Sequence, residues 1–319
     1  MPPMSARPRP GALFERIREA CRVRHYSIRT EQQYVHWAKR FILFHGKRHP
    51  SELGATAIES FLSDLALRKQ VAASTQNQGL SALVLLYRVV LEHDPGWIEG
   101  MFRAKQPQKL PVVLSEAEVQ RLPARLQGVK WIMAALLYGS GLRLMECLRL
   151  RIKDVDVEMR QILVREGKGG KDRRTLLPER VIPALEAHIA QVRLLHQSDL
   201  ASGFGSVYLP HALARKYPNA AREWASQYLF PAAHRSIDPR SGAERRHHID
   251  ETVLQRAVKQ AVRDADIEKP ASCHSLRHSF ATHLLQGATT SPPSRASSAI
   301  RAALSFRRRT GQCRGCLLF

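Results

Sequence analysis

The chain has 319 residues, enough for two domains, and a hydrophobic content of 44% that is normal for a globular protein. Fifty Lys and Arg against 28 Asp and Glu give a net charge of +22, which points to a polyanionic partner, nucleic acid first of all. No apolar run approaches the roughly 18 residues of a membrane span, and Met1-Pro2-Pro3-Met4 lacks the hydrophobic core of a signal peptide, so the expected location is the cytoplasm with no membrane partner.

Residues 1 to about 10 are rich in Pro and Arg and are expected to fray. Tyr34, Trp37, Phe41 and Phe44 then follow a three-to-four spacing, which predicts a long helix capped by Thr30 with Arg22, Arg24, Arg29, Lys39 and Arg40 around it. A second helix is expected over Ala57–Leu67. Ser74 opens a third, whose buried stripe is Leu80, Leu83, Val84, Tyr87 and Leu91. Together they form a small helical domain over residues 10–94. The pattern breaks at Pro95-Gly96, and residues 95–111, where Arg103, Lys105 and Lys109 alternate with Pro107 and Pro111, read as a basic linker.

Ser115-Glu116-Ala117-Glu118 is a capping-box pattern that starts a second domain, with a core helix over Val129–Tyr138. Gly139-Ser140-Gly141 stops that helix. The next begins at Leu142, with Leu144 and Leu148 on one face and Arg143 and Glu146 at i, i+3, close enough to hydrogen-bond. Strands at Arg160–Arg165 and Arg173–Pro178 flank a glycine- and lysine-rich turn and predict a β-hairpin with Lys168 near its tip, which by itself reads as a solvated turn lysine. A helix over Ile182–His196 precedes a long polar stretch, Gly203–Trp224, that looks like an insertion. A further helix is expected over Thr252–Asp266.

From Cys273 to Leu285, Leu276, Phe280 and Leu284 recur every fourth residue, with Ala281 and Leu285 widening the stripe, and predict a buried helix face. His274, Arg277 and His278 fall at i, i+3 and i+4 near the helix start, where backbone N–H groups already favour a phosphate. Two other readings stand beside it. The side chains can be ordinary solvated or core groups, or the two histidines can be zinc ligands, although Ser275 replaces the glutamate of H-E-x-x-H and Arg277 repels a cation. The five cysteines, Cys21, Cys147, Cys273, Cys313 and Cys316, are odd in number and mostly lie in apolar helical patterns, which predicts reduced thiols and no disulfide. Cys313-x-x-Cys316 has metal-ligand spacing but supplies only two ligands.

Taken in order, Gly139-Ser140-Gly141-Leu142-Arg143-Leu144-Met145-Glu146, Lys168 in a hairpin and His274-Ser275-Leu276-Arg277-His278 resemble the catalytic boxes of tyrosine recombinases. The stretch Ala214–Trp224 is similar to the extra helix of integron integrases. The resemblance covers about residues 10–286. It implies a mainly α N-terminal core-binding domain of SAM-like type, and a mixed α/β catalytic domain with a small antiparallel sheet over 112–286, with an insertion at about 197–228. It implies site-specific recombination of DNA through a phosphotyrosine intermediate. Arg143 and Arg277 would match the arginine pair that stabilises the phosphate, Lys168 the proton donor to the departing oxygen, His274 the histidine that assists it, and Glu146 a support for Arg143. An ester intermediate conserves bond energy, so neither ATP nor a metal is implied as a cofactor. The implied partners are DNA, as duplex and as folded single-stranded sites contacted through Lys216, Tyr217 and Trp224, and further copies of the chain, a tetramer in the family.

The resemblance stops after Leu285-Gln286. Family members place a Gly-His about two dozen residues past the second arginine and the tyrosine nucleophile roughly nine further on; here Ile300 and Arg309 occupy those positions, and no tyrosine follows Tyr228. Residues 287–319 hold Arg295, Arg301, Arg307, Arg308, Arg309 and Arg314 and no acidic residue, a composition that reads as an aberrant, disordered tail. A shifted reading frame accounts for the change: codons straddling Ala288-Thr289-Thr290 can read Asp-Tyr, those straddling Ser298-Ala299-Ile300 can read Gly-His, and one straddling Arg309-Thr310 can read Tyr. The expected protein is a recombinase homologue that is inactive as written. Two other readings are a non-catalytic DNA-binding protein occupying recombination sites and a helical transcription regulator, the latter leaving Lys168 and the arginine pair unexplained.

Overall fold

Leu13, Ile17 and Cys21, four residues apart, bury one face of α1 (Pro10–Val23). The structure, a computed structural model, describes residues 10–93, 104, 110–165, 172–239 and 241–290, and the chain divides into two compact units, residues 1–109 and 110–319. In the first unit α2 (Ile28–Phe44) is capped by Ser27 and not by Thr30. Ser27 is extended and its hydroxyl accepts the Thr30 N–H at 3.1 Å, so Thr30 already lies within the first turn. α3 (Ala55–Leu67) and α4 (Ala73–Leu85) follow, and α4 continues into a wider turn over Leu86–Val90. The helix begins at Ala73, one residue before the expected opener Ser74. The core is aromatic: Phe41 meets Phe61 edge-on at 5.5 Å and Tyr87 at 6.2 Å. The buried Tyr87 hydroxyl donates toward the carbonyls of Pro50 and Leu53, both at 2.9 Å. Trp37 and Phe41 are buried, whereas Phe44, on the same expected stripe, is 38% exposed.

The second unit starts as its sequence predicts. Ser115 caps α5 (Glu116–Arg121), with both hydrogen bonds of the capping box formed. α6 (Gly128–Gly139) lies at the centre of the core, and α7 (Leu144–Leu148) follows it. β1 (Val155–Asp156), β2 (Gln161–Val164) and β3 (Arg173–Leu176) form an antiparallel sheet in the order β1-β2-β3, with Val164 opposite Arg173. The hairpin expected from sequence is therefore present with an added edge strand. Lys168 lies outside the described residues. α8 (Ile182–Ala201) runs beyond His196, its expected end.

Within the polar insertion the only helix among the described residues is α9 (His211–Lys216). The stretch Ala214–Trp224 is thus helical only at its start. Pro218, two residues past Lys216, cannot donate a backbone hydrogen bond, and the chain continues in turns to a short 3-10 turn at Trp224–Ser226. β4 (Ser236–Ile237) pairs antiparallel with β5 (Glu244–Arg245). α10 (Glu251–Asp264), capped by Asp250, and α11 (Cys273–Thr290) pack on α6.

α11 runs four residues past Gln286. Its interior face is mixed: Leu276 and Ala281 are buried as expected, but so are Ser275 and Ser279, while Phe280, Leu284 and Leu285 are only half-buried. Ser279 earns its burial through two hydrogen bonds, donating to the Ser275 carbonyl and accepting the Leu114 N–H, both at 2.8 Å. Cys21, Cys147 and Cys273 are free and buried. Cys313, Cys316, Ile300 and Arg309, like most of residues 94–109 and all of 291–319, lie outside the described residues. No helix among the described residues is long and apolar enough to cross a membrane.

Candidate functional site

The turn after α6 is shaped by two glycines. Gly141 takes φ +59°, a left-handed conformation that glycine adopts without strain, and the Phe280 ring lies where its Cβ would be. This turn delivers Arg143 to the start of α7 with Glu146 one turn later. The Glu146 carboxylate accepts the Arg143 backbone N–H at 2.8 Å and its Nη1 at 2.6 Å. The i, i+3 pair expected from sequence therefore forms.

Arg277 arrives from α11. It is buried, with 8% of its surface exposed; its Nη1 donates to the Gly141 carbonyl and lies 3.6 Å from the Glu146 carboxylate. A solvated surface arginine would do neither. Arg143 and Arg277, far apart in sequence, thus share one carboxylate. A charge pair on a buried carboxylate is strong only when its hydrogen bonds are satisfied, and Arg143 makes two of them to Glu146.

A third guanidinium joins them. Arg173 of β3 grips Glu146 with two parallel hydrogen bonds, Nη1 to Oε1 at 2.9 Å and Nη2 to Oε2 at 2.7 Å. Two residues on, and on the same side of the strand, Thr175 Oγ1 donates to the Ser140 carbonyl at 2.7 Å. Sequence shows Arg173 only as one of two adjacent arginines in a strand; nothing local says which of them points inward.

Burial alone would raise the Glu146 pKa, but the hydrogen bonds from Arg173 and then from Arg143 outweigh it and hold the carboxyl down to about 2, against an ordinary 4.5. Since the folded value lies below the unfolded one, this stabilisation is complete above the unfolded pKa and is lost as pH falls from there toward the folded pKa. A shift of this size corresponds to about 3 kcal/mol. Denaturant melts at pH 3 and pH 7 should show Glu146→Gln losing much less stability on acidification than the wild type. An equal acid-side loss in both proteins would rule out Glu146 as the titrating group.

His274 is exposed in the first turn of α11, and Ser275, which occupies the glutamate position of a zinc helix, is buried and accepts the Ser272 N–H at 3.1 Å. Its role is to finish the helix start. His278 is half-buried, and burial, with His274 and Arg277 nearby, lowers its pKa and so disfavours the charged ring. Among the described residues no group of three or more His, Cys, Asp or Glu could hold a metal ion. What the cluster offers is a positive corner at a helix start, with His274 exposed beside it, which suits a phosphodiester.

The other predicted contacts lie apart on the insertion. Residues 212–219 are all exposed, and Tyr217 is 51% exposed with the Lys216 ammonium 5.4 Å from its ring centre. Trp224 is half-buried, its ring lying 4.9 Å from the Arg193 guanidinium and 5.9 Å from the His196 ring. Among the described residues Glu146 pairs with Arg143, Arg173 and Arg277 and with none of Lys216, Tyr217 and Trp224.

Residues 13–99 match the phage integrase N-terminal SAM-like domain, and residues 112–290 match the phage integrase family. An "Integrase/recombinase" of Escherichia coli is 47% identical over 274 residues, covering 86% of this chain and 81% of that protein. The tyrosine recombinase XerD of Agrobacterium fabrum is 29% identical over 306 residues, covering 89% of this chain and 85% of its own length. Among solved structures, the XerH site-specific recombinase bound to its difH substrate superposes with a TM-score of 0.53 at 19% identity, covering 84% of this chain and 71% of that one. A lambda integrase dimer bound to a COC′ core site gives 0.54 at 12% identity, covering 91% and 76%. At such identities the structural likeness is one of fold.

Proposed function

The chain belongs to the phage integrase family of tyrosine recombinases, and on that premise we propose that it is a site-specific DNA recombinase of the integron integrase type whose sequence, shifted in frame after Gln286, has lost the nucleophile. The observation that carries the site assignment is the Glu146 carboxylate shared by Arg143 and Arg277. Attack on a phosphodiester builds charge on its non-bridging oxygens, and arginines held in place and unable to deprotonate stabilise that charge without reorganisation. In this reading Lys168 protonates the departing 5′ oxygen, His274 hydrogen-bonds the phosphate and assists proton transfer, and the residue 10–94 and 112–286 domains each bind duplex DNA in the cytoplasm. Copies of the chain assemble on DNA, as a tetramer when synapsed. A transferred phosphotyrosine bond would conserve its own energy, so neither metal nor ATP enters.

Binding to DNA tests the reading. With a net charge of +22, affinity should fall steeply between low and moderate salt, as each neutralised phosphate releases counterions. An affinity indifferent to salt would sink the assignment.

The integron type is supported by the exposed basic and aromatic stretch at Arg215, Lys216 and Tyr217. Tyr217 is placed to stack on a base extruded from a folded single strand, worth about 1–3 kcal/mol, whereas Trp224 already has ring partners. Val207 and Leu209, within the insertion, are buried, so point changes test this better than deletion. Lys216→Ala with Tyr217→Ala should weaken binding of a folded single-stranded site more than of duplex; equal losses would count against it. A second reading, a non-catalytic protein that occupies recombination sites, is favoured by the absence of any tyrosine after Tyr228.

A further inference from the structure

The carboxylate of Glu146 is held by three arginines, and only two of them have a part in the reading above. Arg173 makes the most complete contact of the three, two parallel bonds to the two carboxylate oxygens, with its side chain 25% exposed. Arg143 uses its Nη1 and its backbone N–H on the same carboxylate, and Arg277 is near enough for charge attraction while its hydrogen bond goes to Gly141. A carboxylate held only by Arg143 could rotate with that side chain about the start of α7. Two parallel bonds from a strand fix its plane. Thr175, on the same face of β3, ties the Ser140 carbonyl as well, so the strand holds the arginine-bearing turn at two points.

We propose that Arg173 is a positioning residue for phosphate binding, which acts through Glu146 to hold Arg143 and Arg277 in register with each other. The inference rests on the recombinase reading of this site. Arg173 does not itself touch the phosphate. Its planar fork is what matters, and lysine, a point charge on a flexible stem, cannot reproduce it.

The test is binding of duplex site DNA by the full chain as a function of salt. Arg173→Lys keeps the charge, so a purely electrostatic role predicts no change, whereas loss of register should weaken binding about tenfold and lower the salt slope by about 1, as for one lost phosphate contact. Arg174→Lys, at the exposed neighbour on the strand, should bind as wild type. Glu146→Gln removes a negative charge and by charge alone would tighten binding; a loss there reports position instead. The double variant should be no worse than the worse single one, because both act on one contact. Arg173→Lys binding as wild type, or losses that add in the double variant, would overturn the proposal. If Arg173→Lys melts too low to assay, Glu146→Gln decides: wild-type or tighter binding overturns it, a loss supports it. Failure of the wild type to bind DNA would overturn the recombinase reading together with this inference, whereas normal binding with an unaffected Arg173→Lys removes only the latter.

Discussion

No denaturation-resistant protein–DNA adduct should form when this chain meets a suicide substrate nicked near the cleavage site, and one should form once the reading frame after Gln286 is restored. Arg143 and Arg277 are in place around Glu146, and in the proposed reading they supply the charge stabilisation while the attacking oxygen is lost. Losing one charge-stabilising donor typically costs about 10² to 10³ in rate, whereas losing the attacking oxygen removes the covalent route. Water attack at the same phosphate would leave at most trace nicking. Two of the upstream tyrosines, Tyr228 and Tyr138, are poor substitutes. Tyr228 is 5% exposed, and burial, only partly offset by Arg151 nearby, raises its pKa. Tyr138 is engaged with the His283 ring at 2.9 Å, and burial raises its pKa too. An adduct with the chain as written would show that an upstream tyrosine, or a tyrosine of another protein, reaches the phosphate, and the account would fail. No adduct from the frame-restored chain would overturn the frameshift reading.

Gly141→Ala should strongly destabilise the second unit. At φ +59° a Cβ costs about 1–2 kcal/mol of backbone strain. The same Cβ would fall 2.5 Å from Cδ1 of Phe280, and pushing that ring and α11 aside adds overpacking, for a total of about 2–4 kcal/mol. In a domain of this size that lowers the melting temperature by roughly 5–15 °C. The Gly141 carbonyl also accepts from Arg277, so DNA affinity should fall with stability. Gly203→Ala provides the comparison, since Gly203 has φ +83° with nothing within 4 Å of a Cβ. Thermal melts that fall equally for both variants would show that the Phe280 contact carries no weight.

The sequence by itself determined the helical first unit, the capping box at Ser115, the β2–β3 hairpin and the Arg143–Glu146 pair. Each depends on residues within a few positions of one another, where periodicity and cap chemistry are local rules. It misplaced what local rules leave balanced. Ser27 and Thr30 are both good caps, and the apolar register that chooses between them is set by packing on the rest of the unit. The stretch Ala214–Trp224 is interrupted by Pro218, whose missing N–H outweighs the helix-forming residues before it. The α11 stripe is apolar by its spacing, yet Ser275 and Ser279 are buried because Ser272 and Leu114 supply their partners. Only the tertiary structure decided that Arg277 is buried beside Glu146, and that Arg173 and not Arg174 faces the same carboxylate. Strand alternation gives the two arginines opposite faces but does not say which face is inward. That choice belongs to the sheet's packing against α6 and α7, where a single buried carboxylate gathers cationic side chains from three separate parts of the chain.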